Sequence, residues 1–454
     1  MSAVVLLATT DRPEACARLC ADLAATAATL HQPLTVGIVE NSRTPRSRTL
    51  NRQTFERLTA QGIDLVIADA QPGGLPIGAA RTRQRELLRG LVQQGRRPAL
   101  VWMLDDDLRL QRLVVRDGVL RQEPLHDPIG RLLAMVGQPE TPDVLIGTVH
   151  GDPPIPAMAT WASRVVDLAA NLQHMGQCDP EQPWTADAAT CTHLREPDYY
   201  YDYGQHPRLD TPAFWLPRQP GQTVRAACEA MLEEARHLPL GIGFTRPLIA
   251  PTSATSDPAP PIRVQGSARV RGGNAVFFDL DACLAHDYPT TELAGVRTRR
   301  GDSVGLHLLQ RCQGVTFAAS DFAVLHGRDD HATPCADPNR LLEHLLADTL
   351  GAALSRAVAG HDHPALSHFL QHRVAQVEHH LQRLHTALQS LRCPAWLGTS
   401  GSGAALVAQD GPIAWLQHHV PGLKTGRLPA PARERLLAPE LPGELIDQAR
   451  VWSY

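Results

Sequence analysis

Lysine is almost missing from this chain. Of its 43 basic residues, Lys424 alone is a lysine and the rest are arginine. The glycine-rich run Gly398-Thr-Ser-Gly-Ser-Gly403 therefore has no Lys-Ser/Thr to follow it, and it reads as a turn and not as a phosphate-binding loop. Cysteine is sparse and unpatterned. There are nine, an odd number, with no zinc-ribbon spacing, and Cys16 and Cys20 lie one helical turn apart without a second pair. Buried free thiols in a reducing compartment are expected. No apolar run approaches the ~20 residues of a membrane span. The apolar start has no basic region and runs straight into Thr9-Thr10-Asp11-Arg12-Pro13, as a first strand would and a signal peptide would not. Surplus charge is also lacking: the net charge of -4 and pI near 6.6 argue against a nucleic-acid or membrane-surface binder. A cytoplasmic protein is expected.

The 454 residues leave room for two or three domains. In the first hundred, strand and helix patterns alternate. Val4–Ala8, Leu34–Glu40, Asp64–Ala68 and Leu100–Leu104 read as buried strands. Helices are expected from Pro13 to about Leu30, with Asp11 as a possible cap, over Thr54–Gln61, and from about Ala79 to Gln94. This alternation argues for an open α/β sheet with parallel strands. Further strands are expected at Val144–Val149, Ala275–Asp279 and Thr316–Leu325, and a helix over Asp302–Cys312. Asp198-Tyr-Tyr-Tyr-Asp-Tyr203 and the Pro/Ser/Thr loop Pro251–Pro261 read as turn-rich. Beyond a boundary near Thr333–Pro338 the chain reads as helical. Leu366, Leu370, Val374, Val377, Leu381, Leu384, Leu388 and Leu391 form a narrow apolar seam, either a bundle packed on the rest of the chain or an intermolecular coiled coil that makes a homo-oligomer. The histidines around it, His368, His372, His379, His380 and His385, read as a solvated face.

The chemistry concentrates at strand ends, where ligands bind in open α/β sheets. Those ends carry Thr9-Thr10-Asp11, Glu40-Asn41-Ser42, Asp69 and Asp105-Asp106-Asp107. Three carboxylates after an apolar strand are hard oxygen ligands suited to Mg²⁺ or Mn²⁺. The other reading is a solvated turn or cap.

Val5-Leu-Leu-Ala-Thr-Thr-Asp-Arg-Pro13, Val36-Gly-Ile-Val-Glu-Asn-Ser42, Gly74-Leu-Pro-Ile-Gly-Ala-Ala-Arg81 and Met103-Leu-Asp-Asp-Asp107, in that order, resemble the GT-A glycosyltransferases, and most closely their inverting family 2. The resemblance covers residues 3–110 and, loosely, 265–330. It implies an α/β fold, a GT-A-like open mixed sheet with flanking helices over residues 1–333; the helical pattern beyond it adds a helical C-terminal extension over 334–454. It implies transfer of a sugar from a nucleotide diphosphate donor to a hydroxyl acceptor whose identity stays open. By the same resemblance Ala8 and Thr10 line the nucleoside pocket, Glu40 and Asn41 contact base or ribose, Gly78 and Arg81 lie near the diphosphate, and Asp105 and Asp107 are the two DxD carboxylates. Arg271-Gly-Gly-Asn-Ala-Val-Phe-Phe278 followed by Arg299-Arg-Gly-Asp302 matches the family's later pattern, with Gly301 where a glutamate is usual. Asp302 then stands as the general base, although a helix N-cap also suits its position. Arg299 and Arg300 are candidates to clamp phosphate or an anionic acceptor, or form a solvated loop. His326 sits where some relatives place a third metal ligand beside Asp105 and Asp107; a non-ligand polar histidine is the alternative.

Two other readings compete. Val276-Phe-Phe-Asp-Leu-Asp-Ala-Cys-Leu284 resembles the nucleophile motif of haloacid-dehalogenase-like phosphatases, but the lysine those enzymes need is absent between it and Asp329-Asp330. A sugar-1-phosphate nucleotidylyltransferase would show glycines in the first loop, and Ala8–Pro13 has none. A non-catalytic nucleotide-binding module acting through its C-terminal helices is the remaining class.

Overall fold

The structure is a computed structural model and describes residues 2–30, 34–70, 73–136, 138, 141–185, 213–249, 262–267, 275–285, 288–289, 291–312, 314–328, 330–398 and 401–452. The tyrosine run Asp198–Tyr203, the loop Pro251–Pro261 and the Arg271-Gly-Gly-Asn274 part of the family pattern lie outside these residues.

The chain opens with β1 (Ala3–Thr9), α1 (Pro13–Ala27), β2 (Leu34–Glu40), α2 (Pro45–Ala60), β3 (Asp64–Asp69), α3 (Ile77–Gln93) and β4 (Leu100–Asp105). These strands pair in parallel in the order β3-β2-β1-β4. Then come β5 (Leu108–Arg109), the hairpin β6 (Gln111–Arg116) and β7 (Val119–Pro124), α4 (Pro128–Val136), β8 (Val144–Gly151), α5 (Trp161–Gly176) and α6 (Val224–Ala235). They are followed by β9 (Val264–Ser267), β10 (Val276–Phe278), α7 (Leu280–Ala285), the short hairpin β11 (Glu292–Leu293) and β12 (Val296–Arg297), α8 (Gly301–Cys312) and β13 (Phe317–His326). The sheet continues from β4 through β10, β8 and β13 to β5, and β10 runs antiparallel to both its neighbours. The result is a mixed open sheet with helices on both faces, the GT-A-like architecture, followed by C-terminal helices.

Alternation along the strands builds two layers. Val5, Leu7, Trp102 and Leu104 pack with α1, α2 and α4 through Leu19, Phe55 and Leu132. Val4, Leu6, Val101 and Met103 pack on the other face with α3, α7 and α8 through Leu88, Cys283 and Leu306. Every residue of β1 and β2 is buried, as expected of parallel strands covered on both sides.

The C-terminal helices are α9 (Pro338–Val358), α10 (His363–Ser390), α11 (Ser402–Val407), α12 (Pro412–His419), α13 (Ala430–Leu436) and α14 (Leu441–Val451). Asp337 and Asp362 cap α9 and α10, accepting from Asn339 N at 2.9 Å and Ala365 N at 3.0 Å. All eight seam residues, seven in α10 and Leu391 just past its end, are buried within this chain. They join one cluster with Trp161 and Leu168 of α5, Met231 of α6 and Leu350 of α9, so a continuous core crosses the expected boundary near residue 334. The seam is thus occupied by the chain's own helices, as in the bundle reading.

Three local expectations change. Asp11 does not cap α1; its Oδ1 accepts from the backbone N–H groups of Arg43 (2.9 Å) and Thr44 (3.0 Å), tying the β1 and β2 ends together. Asp302 lies in the first turn of α8, two residues past the cap position, which Arg300 occupies. His380 is buried and does not belong to a solvated face; burial holds it neutral, down to about 3.

Candidate functional site

Register brings the acidic strand ends level. Thr9 lies opposite Glu40, Glu40 opposite Asp69, and Ala8 opposite Asp105. Beyond this edge the loops knit together. Thr10 O accepts from Ser42 Oγ at 2.8 Å, and Glu40 Oε1 accepts from Ser42 N at 2.8 Å and Thr9 Oγ1 at 3.3 Å. Glu40 is fully buried and its Oε2 has no hydrogen-bond partner, leaving one carboxylate oxygen for a donor group. Asn41, expected to contact base or ribose, has its amide engaged with the chain itself. Its amide holds Leu75 from both sides, donating to Leu75 O at 3.0 Å and accepting from Leu75 N, and so fixes the loop leading into α3. Gly74, at φ +76°, lies so near that a Cβ there would be 3.1 Å from Asn41 O. Gly78 is buried in the first turn of α3.

The three aspartates point in three directions. Asp105 continues the α3-facing alternation of β4 and meets Arg81, which also donates to Leu104 O at 3.2 Å and Gln84 Oε1 at 3.1 Å. Asp106 faces the α1 layer, fully buried. Its Oδ2 accepts from Thr10 N at 2.8 Å and its Oδ1 pairs with Arg12 Nη2 at 2.7 Å. Burial lifts Asp106 to about 7 against the pull of Arg12. Asp107 pairs with Arg12 and lies 3.3 Å from His326 Nε2 through the same oxygen, while its Oδ1 is buried with no hydrogen-bond partner. Burial opposes ionisation there, but Arg12 and His326 outweigh it and hold Asp107 far below the usual carboxylate range.

His326 reaches Asp107 because β5 returns antiparallel to the end of β13, pairing Leu108 with His326, and because Gly327 N donates to Asp107 O at 3.1 Å. Gly151 permits the close pairing of β8 and β13: at φ +82°, a Cβ on it would sit 2.4 Å from His326 O. The Nδ1 of His326 lies 2.6 Å from Asp152 O. A carbonyl only accepts, so Nδ1 carries the hydrogen and Nε2 is the atom offered toward Asp107. Burial disfavours the imidazolium, yet Asp107 more than compensates and raises this histidine above its usual value.

This donor set fits a divalent cation at two corners. A carbonyl-anchored imidazole and a carboxylate with an unpartnered buried oxygen are what a Mn²⁺ or Mg²⁺ that completes its shell on phosphate and water would need. The expected trio is not assembled, however. Asp105 is turned onto Arg81, and among the described residues no three His, Cys, Asp or Glu side chains stand ready to hold a metal.

Asp302 is brought to the Arg81–Asp105 side. Burial raises its carboxyl above the ordinary range, with Arg81 and the Ser303 N–H (2.9 Å) pulling the other way and Asp105 adding to the rise. Arg300 is held by the C-terminal helices: its Nε and Nη2 donate to the two oxygens of Asp348 at 2.9 and 2.8 Å. The phosphatase-like Asp279 lies at the opposite edge of the sheet, because β10 is antiparallel to β4, and there it accepts from Ala282 N at 2.6 Å.

A cavity of about 560 Å³ opens beside Asp107 and His326, and much of its wall comes from residues 151–247. Arg18, Arg109, Asp152, Glu234 and Arg328 line it; Asp302 does not.

No protein-family model and no curated protein sequence matches the chain. Among solved structures it is similar to S. aureus TarS 1-349, at TM-score 0.36 and 10% identity over 99% of this chain and 92% of that one. It is also similar to the same fragment in complex with UDP, at TM-score 0.34 and 12% identity with the same coverage. A third likeness is to a protein assigned as a nucleotide-diphospho-sugar transferase from Desulfovibrio desulfuricans G20, at TM-score 0.21 and 15% identity over 33% and 59%. At these scores the likenesses carry no argument about activity.

Proposed function

We propose that the chain is a glycosyltransferase that moves a sugar from a nucleotide diphosphate donor to a hydroxyl acceptor, with inversion. The observation that carries this reading is the level edge where Thr10, Glu40, Arg81, Asp105 and Asp107 meet, facing Asp302 on α8. The nucleoside would lie over the β1 and β2 ends against Ala8, Thr10 and Glu40, with the diphosphate near Gly78 and Arg81. Asp107 and His326 would hold a divalent cation, which offsets the charge of the departing diphosphate when bound. Asp302, pushed toward proton affinity by burial, would take the proton of the acceptor hydroxyl as that oxygen attacks the sugar carbon opposite the diphosphate. The cavity beside Asp107 suits the body of the acceptor, which would extend past Asp105 to meet the base.

The test is a panel of nucleotide sugars, each with Mn²⁺ or Mg²⁺, read by thermal shift and by release of nucleoside diphosphate. One donor should raise the melting temperature in a concentration-dependent way and be turned over. Stabilisation by a donor with no turnover against any acceptor or water would favour the non-catalytic module, and no stabilisation by any donor would end the reading.

A further inference from the structure

The turn that carries Asp302 is seated on the C-terminal helices. Its base, Arg299-Arg300, touches α9 at three points within residues 347–351. Arg299 N donates to Ala347 O at 3.0 Å. Arg300 makes a two-pronged pair with Asp348, whose side chain is 4% exposed. Gly351 lies under the Arg299 carbonyl so closely that a Cβ there would stand 2.0 Å from that oxygen. Arg300 also has φ +60°, a left-handed conformation that costs an arginine about 1 kcal/mol or more and persists only where its surroundings enforce it. The next two residues are Gly301, which starts α8, and Asp302.

We propose that α9 is part of the catalytic apparatus, with Asp348 as the positioning residue that, through Arg300, sets the direction of the first turn of α8 and so aims Asp302 at the acceptor hydroxyl. The fork–fork geometry suits this task, because two parallel hydrogen bonds fix both the place and the plane of the guanidinium. A solvated loop would leave α8 free to start one residue earlier or later; the pair, the backbone bond and the close glycine together remove that freedom. This assignment rests on Asp302 being the base. It gives the extension a role that a separate helical module would not have.

The experiment compares wild type with Asp348→Asn and Arg300→Gly, the latter keeping the left-handed backbone while losing the fork. Two quantities are read: steady-state transfer with the donor that wild type accepts, and amide hydrogen exchange of residues 301–304. Both variants should lose about tenfold or more in kcat, since misplacement of a reacting group on the ångström scale has that effect, while KM for the donor stays within about twofold. Exchange at 301–304 should quicken, and that of β1 and β4 should not. Wild-type kcat in both variants, or unchanged exchange at 301–304, overturns the inference and leaves the glycosyltransferase reading intact. Absence of turnover in wild type itself removes that reading, and the positioning role falls with it. Should Asp348→Asn fail to fold, Arg300→Gly decides alone.

Discussion

Three consecutive carboxylates need positive charge nearby, and Arg12 and Arg81 provide it within the chain. Arg12 bridges Asp106 and Asp107 while Arg81 holds Asp105. Strand-end acids could be read from the sequence because parallel strands of similar length end together; their counter-ions could not, since Arg12 and Asp107 are 95 residues apart. The one available signal was Arg12 inside the same short motif as Thr10, with no role of its own. Arg12→Gln should therefore cost about 3 kcal/mol of stability in chelator, the usual consequence of leaving a buried carboxylate unpaired, and Mn²⁺ should restore more stability to this variant than to wild type in a urea titration. Equal Mn²⁺ effects on both proteins would remove Asp107 from the metal assignment.

Elements with strong periodicity were legible to within a residue or two. β2 matches its expected bounds and β1, β3 and β4 do so within a residue, because each strand is mostly apolar and bounded by polar residues; α8 starts one residue earlier than expected. α2 begins at Pro45, well before the expected Thr54, since its first two turns carry mostly polar residues. The two-residue β5 has no pattern to read, yet it is what brings His326 to Asp107. Burial of histidine was equally hidden. His150 on β8 accepts from Leu113 N at 3.2 Å through Nδ1, and burial followed by Arg112 holds it down to about 3; His380 on α10 behaves alike. Because both histidines bind a proton more readily unfolded than folded, stability should fall as pH drops below the unfolded value of ~6.5, by about 2 kcal/mol for each at pH 5. Urea midpoints between pH 7 and 5 measure this, and His150→Gln should flatten the slope. A slope indifferent to that substitution would mean His150 is already protonated when folded.

At the scale of the molecule, the sequence suggests a catalytic region and an appended helical one; in the structure α5, α6 and part of α8 share one hydrophobic cluster with the C-terminal helices, while the layers of the large sheet form clusters of their own. The boundary was placed by composition, which registers the change from mixed to helical pattern but not which faces meet. Leu384 is 2% exposed in the cluster that includes α5, α6 and α9. Leu384→Ala should cost about 2–5 kcal/mol and lower a single unfolding transition seen alike by near-UV and far-UV circular dichroism. Two separated transitions would show that the helices form a body of their own, and the seating of Asp302 on α9 would lose its structural basis. Among the described residues no helix is long and apolar enough to cross a membrane.

On the proposed reading, glycosyl transfer takes place at the strand edge with Asp302 as the base. Its most direct test is Asp302→Asn, assayed for both donor affinity and transfer with the nucleotide sugar that stabilises wild type. Donor affinity should stay within about threefold while transfer falls by about 10²-fold or more, the range over which a positioned base acts. Transfer at the wild-type rate by this variant would contradict it.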